Sequence, residues 1–315
     1  MAITLAQSAL LSTNQVYKGI VQTAYTFSQV LRWLKFDGIQ GNALQYAREL
    51  AASTATVYDP GDTISEGTTT FSQITTALKR IIGDAAIDEF AQQTRSDQMG
   101  QTAVQIALKV RAVAEYFENC FVTGDTGSNS KQFDGLRVMC TTANSNRVGC
   151  SNDQVDGAIL TLDDLDTLID TVKGPVDLLI MSQKSKRKLK NLFRSAGTSL
   201  DVRQELGMPI DYYSGIPIAA TNFITDTLTK GGSTDTSEIY AVSLAEGFGV
   251  VGLQNENTME SVDRPDTGVM RLPGPQVVQI GPMETVDAIK WRVRWYSAIA
   301  AYSLRGIACL DGVRS

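Results

Sequence analysis

The sequence contains no histidine in 315 residues. That absence removes the Ser-His-Asp and Cys-His nucleophile pairs, every imidazole-ligated zinc site and any imidazole switch near neutral pH. Cysteine is scarce: four residues, at positions 120, 140, 150 and 309, with no CxxC spacing, so neither a zinc knuckle nor a redox dithiol is expected. Buried free thiols are the plain reading of such residues. A Cys140–Cys150 bridge stays open, because spacing says nothing about the geometry it needs. Long apolar runs are also missing. Stretches such as Leu178-Leu179-Ile180-Met181 fall far short of the ~20 residues of a membrane helix. The opening MAITLAQSALL has no basic leader, its first lysine being Lys18. It reads as mature protein that is neither secreted nor membrane-anchored.

What is present is ordinary globular composition, 43% hydrophobic and 20% charged, with a net charge of -6. It suits one large domain or two medium ones. Charge is unevenly placed. Residues 51–100 are net -4 and 201–250 net -5, whereas residues 1–50 are net +2. No segment is basic enough for a dedicated nucleic-acid-binding domain.

Residues 1–50 lack clean periodicity and read as an arm that leans on something else, helical in part over 14–35 and broken by Gly38 and Gly41. Residues 53–83 read as a long β-hairpin around the turn cluster Asp59-Pro60-Gly61-Asp62. Neither face is consistently apolar, and a hairpin that hides no face is marginal in water, so a partner surface is expected, most simply another copy. A short helix over roughly 84–93 should follow. Over 97–122, Ala103, Ile106, Ala107, Val110, Val113, Ala114, Phe117 and Phe121 form one helical stripe, with Ser96 or Asp97 as cap and a length of ~39 Å.

From residue 135 the pattern becomes α/β. Thr161-Leu162-Asp163-Asp164 looks like a capping box. Val176–Met181 is a buried-strand run, 182–195 a helix, and Tyr212–Ile218 a turn and short strand. Further strands are expected at 239–242 and 249–253. In 287–298, Trp291, Val293 and Trp295 alternate with Lys290, Arg292 and Arg294, a half-buried strand with one cationic face.

Motifs that could carry chemistry mostly fail. Gly247-Phe248-Gly249-Val250-Val251-Gly252 fits GxGxxG but lacks the helix start that would meet a pyrophosphate. Ser185-Lys186-Arg187-Lys188 and Ser128-Asn129-Ser130-Lys131 fit SxxK without a KTG or SDN partner. The first lies on a basic helix, ordinarily a solvated face and alternatively a phosphate or nucleic-acid contact. Asp163, Asp164, Asp166 and Asp170 have no EF-hand spacing and suit capping and solubility.

In that order the stretches resemble the tailed-phage major capsid proteins with the Hong Kong 97-type fold. Phe121-Val122-Thr123-Gly124-Asp125 and Phe133-Asp134-Gly135-Leu136 are similar to the family's helix end and following turn, Leu162–Arg194 to its helix–strand–helix, and Tyr213-Ser214-Gly215-Ile216-Pro217-Ile218 to a turn and strand of the family. Ile239–Gln254 and Val293-Arg294-Trp295-Tyr296 resemble its late strands. The resemblance implies an α+β fold with an N-arm and entry to the P-domain (1–52), an extended E-loop (53–83), a P-domain containing the spine helix (84–140), an A-domain (141–265), and a last stretch of P-domain strands that returns to the A-domain (266–315). It implies pentamers and hexamers of an icosahedral shell around double-stranded DNA held without sequence-specific binding. Portal, scaffolding and decoration proteins would be partners, assembly would take place in the host bacterial cytoplasm, and there would be no cofactor, no catalysis and no membrane. Asp59, Asp62, Glu66 and Phe71 would meet a neighbouring subunit. Ile106, Val110, Val113, Phe117 and Phe121 would pack the spine, Trp291, Val293 and Trp295 the P-domain strand, and Lys290, Arg292 and Arg294 would be cationic contacts. The loop tip Asp59–Thr70 contains no lysine, so the covalent cross-link of some relatives is not expected, nor is a large cleaved prodomain. An encapsulin-type compartment has the same fold and a different content. A serine–lysine hydrolase is the rival from another class.

Overall fold

We describe the fold from a computed structural model, covering residues 30–51, 57–63, 70–95, 101–205, 208–258, 260–264, 268–272 and 274–314. The apolar run of the α/β region forms strand β7 (Leu178–Ser182), buried at all five positions. Side chains alternate along a strand. Leu178 and Ile180 therefore enter one apolar cluster, and Leu179 and Met181 enter another on the opposite face. Both faces are covered, which is why the run is continuous rather than alternating.

Around β7 lie β5 (Arg147–Gly149), β6 (Ala158–Ile159), β8 (Asp201–Glu205), β9 (Met208–Tyr213), β10 (Ile216–Thr221), β11 (Leu228–Lys230), β12 (Ser233–Val242) and β18 (Ile307–Arg314). The sheet order is β5–β18–β12–β7–β10–β9–β8, with β6 on β18 and β11 on β12. Ser214 and Gly215 join β9 to β10 with φ of 48° and 82°, the left-handed pair of a tight hairpin turn.

A second sheet holds β1 (Phe36–Ile39), β4 (Lys79–Asp88), β13 (Val250–Asn255), β16 (Gln276–Pro282) and β17 (Ala288–Ala301). β17 has 14 residues. One edge pairs with β4 from Ala288 to Ser297, and the other pairs first with β16 and then with β13. Two further strand pairs stand apart, β2 (Ala43–Ala51) with β3 (Thr70–Ala77), and β14 (Glu260–Arg264) with β15 (Gly268–Leu272).

The helices are α1 (Glu89–Arg95), α2 (Gln101–Thr123), α3 (Leu136–Met139), α4 (Leu162–Thr171) and α5 (Gln183–Ser195). α4 opens with the expected capping box: Thr161 Oγ1 accepts from the Asp164 amide at 3.2 Å, and the Asp164 carboxylate accepts from the Thr161 amide at 3.0 Å. α2 is the expected long helix, described from Gln101 to Thr123; its expected first residues 97–100 and the capping positions Ser96 and Asp97 lie outside the described residues. Val113, Phe117 and Phe121 are buried, whereas Ile106 and Val110 are half-buried and Ala103 and Ala107 exposed. The expected stripe is thus covered only in its C-terminal half.

Three expectations need correction. The hairpin strands are 43–51 and 70–77, not 53–83; the chain leaves the hairpin at Leu78, and β4 joins the large sheet. The helix expected over 84–93 is strand through Asp88, because Ile81, Ala85 and Ile87 line one buried face of β4. Between them Gly83 lies against Val113 of α2, where a Cβ would stand 3.6 Å from Cγ2. The end of the arm also does not wait for a neighbour: β1 runs parallel to β13, and Val30, Leu34 and Ile39 are buried within the chain. Residues 1–29 lie outside the described residues.

Cationic Lys290, Arg292 and Arg294 are engaged inside the subunit as well. Asp84 on β4 takes Lys290 Nζ at 2.8 Å and the Arg292 fork at 2.7 and 2.8 Å, while Arg294 donates to Gln276 at 3.3 Å. The four cysteines are free and buried. Cys140 and Cys150 belong to clusters on opposite faces of the nine-stranded sheet, so the bridge left open by the spacing does not form.

Two outcomes follow for the unassembled subunit. Phe117→Ala empties the centre of the core and should lower unfolding free energy by about 3–5 kcal/mol in denaturant titration. The Arg292 and Lys290 hydrogen bonds hold the Asp84 carboxyl well below its ordinary 3.8. A depressed folded-state value contributes stability above the unfolded value and loses it as pH falls through the folded one. Asp84→Asn should therefore cost up to about 1 kcal/mol at pH 7, the pair being partly exposed. The difference from wild type should shrink progressively as pH is lowered beneath 3.8; a difference constant across that range would show that Asp84 acts by packing alone.

Candidate functional site

The chemistry-bearing candidates turn out to be structural. Ser185 is fully buried; its Oγ lies 3.2 Å from Ser182 Oγ, whose hydroxyl donates to Asp226 at 2.5 Å. Ser182 caps α5 by accepting from the Ser185 amide. An acylating reagent has no route to Ser185. Ser128 is exposed but donates to Asp125 Oδ2 at 2.6 Å, and with the Gly127 amide it holds the Asp125 carboxyl below its ordinary value. On α5, Lys186 and Lys190 close on Asp211 at 2.7 and 2.9 Å.

The acidic residues are similarly occupied. Asp164 serves the α4 cap and also accepts from the Ser151 amide at 2.7 Å, and Asp166 accepts from the Tyr213 hydroxyl at 2.6 Å. Among the described residues no group of three His, Cys, Asp or Glu is placed to hold a metal ion. The GxGxxG glycines serve the backbone instead: Gly247 takes a left-handed φ of 74°, and the other two allow close packing. A Cβ on Gly249 would meet Ser243 O at 2.2 Å, and one on Gly252 the Phe36 ring at 2.6 Å.

Two surfaces remain. The first is the β2–β3 hairpin. Its root is tied down: Tyr46 Oη donates to Ala301 O at 3.1 Å, its ring lies 5.2 Å from Tyr302, and Arg48 Nη2 donates to Ala301 O. Beyond the root its apolar side chains are left open among the described residues. Phe71 is 69% exposed and Val57 95% exposed. Asp59 and Asp62 form an exposed turn, the Asp62 amide donating to Asp59 O at 3.1 Å and the Asp59 amide to Asp62 Oδ2 at 2.9 Å. β2 itself is nine residues, ~30 Å of strand, of which the first six include the anchored root. Glu66 lies outside the described residues.

The second is a cleft of about 410 Å³ between β4 and α2, rimmed by Lys79, Arg80, Lys109 and Lys131 with no carboxylate in its lining. It was invisible in the sequence because its cations come from a strand, a helix and a loop; the available signal was four cations without an acidic residue at helical or cross-strand spacing. Beside it the turn after α2 closes on itself: Gly135 N donates to Gly124 O at 2.8 Å, and Thr126 donates to Asp134 through both its amide and its hydroxyl. Of the strand residues expected to pack, Val293 and Trp295 are buried and Trp291 half-buried.

Comparison with known proteins bears on these surfaces. No curated protein sequence matches the chain. Among solved structures, the holo-SrpI encapsulin complex from Synechococcus elongatus PCC 7942 superposes with a TM-score of 0.70 at 15% identity, over 92% of this chain and 89% of that one. The Cyanophage A-1(L) capsid gives 0.63 at 12% identity, over 93% and 95%. The capsid of the native GTA particle gives 0.62 at 11%, over 90% and 89%. At such identities the likeness shows the fold, the Hong Kong 97-type shell fold. A family model described as SU10 major capsid protein matches residues 63–246. Since that match spans more than half of the sequence, the chain belongs to the SU10 major capsid protein family and is a self-assembling shell subunit of the tailed-phage capsid type.

Proposed function

We propose that copies of this chain close into pentamers and hexamers of an icosahedral shell that encloses packaged double-stranded DNA. The observation that carries the reading is the hairpin, which stands off a complete core and leaves Val57 and Phe71 in water. Exposed apolar side chains gain by burial, and among the described residues no element covers these two. A head-to-tail overlap of each hairpin on the next copy closes into a ring, and interfaces of this kind remove ~2,000 Å² or more from water. In this reading residues 43–77 are the extended loop, α2 with the β17 sheet is the peripheral domain, and the nine-stranded sheet is the axial domain around the symmetry axes. The acidic turn at Asp59 and Asp62 meets a cationic patch of the neighbour. Assembly occurs in the host bacterial cytoplasm with portal, scaffolding and decoration proteins, and the subunit performs no catalysis.

A second reading, a compartment that encloses cargo enzymes, is favoured by the superposition on the SrpI encapsulin. It shares the shell and differs in what the shell holds.

Electron microscopy of the purified protein tests the proposal. Closed shells or rings of five and six are expected, and a monomer that persists at high concentration would sink it. Nucleic acid extracted from particles of infected cells separates the phage reading from the compartment reading, which predicts a co-purifying enzyme. Reversing the turn charges with Asp59→Lys and Asp62→Lys should slow shell formation about tenfold at low salt, because rim charges act mainly on encounter rate. Light scattering follows the rate, and an unchanged rate would remove the turn from the contact.

A further inference from the structure

The cleft between β4 and α2 sets itself apart by charge. The chain is net negative, and many of its other cations are neutralised from within: Lys290 and Arg292 by Asp84, Arg137 and Arg147 by Glu238, Lys186 and Lys190 by Asp211, Lys230 by Asp153; Lys184, Arg187, Lys188 and Arg194, spread along α5, are the other cluster without an ion pair among the described residues. Lys79, Arg80, Lys109 and Lys131 form no ion pair among the described residues, and no carboxylate lines the space they share. Lys79 donates to the Ser130 carbonyl at 2.7 Å, which fixes its ammonium group without cancelling its charge.

The remaining polar lining is of one kind. Asn129 is exposed, and Gln132 donates to Tyr116 Oη at 3.2 Å beside the cleft mouth. Lys, Arg, Asn, Gln and Tyr are the side chains that contact phosphate and sugar without reading sequence. Ile81, Val113, Cys120 and Phe133 form a buried apolar floor, so the cations stand on packed elements rather than on a mobile arm. Among the described residues β4 pairs only with β17, and its other edge opens here. Lysine on an edge strand also blunts strand-to-strand pairing, but that covers neither Lys109 on the helix nor Lys131 on the loop. An acidic turn from another copy is the other partner to weigh. The turn at 57–62 brings two carboxylates, one already accepting from its own backbone, against four cations. A ladder of phosphates matches the charge better.

We propose that this cleft is a sequence-independent contact for the phosphodiester backbone of double-stranded DNA. The inference rests on the reading that the shell encloses DNA, and it names where the wall touches it. Four contacts are few: enough to organise the outermost duplex, and weak enough at physiological salt for the DNA to leave.

The test is fluorescence anisotropy of the full-length subunit, kept below its assembly concentration, with a labelled duplex of arbitrary sequence. Four neutralised phosphates predict an affinity loss of about 150-fold between about 50 and 200 mM salt. Lys109→Gln with Lys131→Gln should reduce that loss to about 12-fold. Arg80→Gln, on a different element, should flatten the slope by one contact, so the proposal survives a misfolded first variant. Lys184→Gln with Arg187→Gln on α5 should keep the wild-type slope. Cleft variants that keep the full slope overturn the proposal, as does an α5 pair that lowers it equally. Cleft variants that bind DNA normally but no longer form shells also overturn it, making the cleft a contact between copies. Shell formation by wild type, scored separately by electron microscopy, decides the enclosing role, so the two readings fail on different measurements.

Discussion

The structure depends on one packing contact, Phe117 of the long helix against Trp295 of β17, with ring centroids 4.5 Å apart. Phe36 and Phe133 complete the cluster at 5.7 and 5.4 Å from the Phe117 ring. These four rings bring together the arm, the long helix, the turn after it and the central strand. Offset aromatic contacts of this kind add to large buried areas. The polar handle is also met: Trp295 Nε1 donates to Gln254 at 3.0 Å, and Gln254 exchanges hydrogen bonds with Gly274. Because β17 pairs with three other strands, fixing it fixes the sheet. Its last residue, Ala301, accepts from Tyr46 and Arg48 and so anchors the hairpin root.

A core completed in this way changes what the hairpin is for. Its outer length contributes little to folding the subunit, since the apolar clusters close without it. It is therefore available for contact, and its exposed Phe71 and Val57 do not signal a poorly folded chain. The same separation governs charge. Glu238 is almost fully buried and holds Arg137 and Arg147 at 2.9 Å each, an arrangement whose cost is met only when all partners are present. Buried charges are matched inside; charges left without an ion pair among the described residues include those of the hairpin turn, the β4–α2 cleft and the outer part of α5.

Much of this was legible in the sequence where local chemistry decides the structure. The capping box at Thr161, the buried run at β7 and the Trp295 alternation all rest on nearest-neighbour rules. The failures lie where tertiary pairing overrides composition. Ala43–Ala51 reads ALQYARELA, rich in helix formers and poor in β-branched residues, and becomes strand because β3 supplies its ladder. In β4 the small residues Gly83 and Ala85 take core positions against α2, which blurs the period-two pattern. Lys290 and Arg292 looked free because their carboxylate, Asp84, is 208 residues from Arg292 in sequence. The cleft was hidden for the same reason: its members meet only once β4 lies along α2.

The missing histidines acquire a physical meaning in this light. Histidine is the side chain that ordinarily changes charge between about pH 5 and 8. The carboxyls of Asp84, Asp125, Asp164 and Asp211 are displaced downward, and the thiols of Cys120, Cys150 and Cys309 upward, Cys150 to about 12 through burial and the neighbouring Asp164. Each displacement moves a group away from neutrality. The groups so displaced keep one charge state across the physiological range. Exposed charges such as those of the hairpin turn and the cleft are screened over a Debye length of about 10 Å at 0.1 M, so in the reading proposed for them ionic strength is the variable that weakens their contacts.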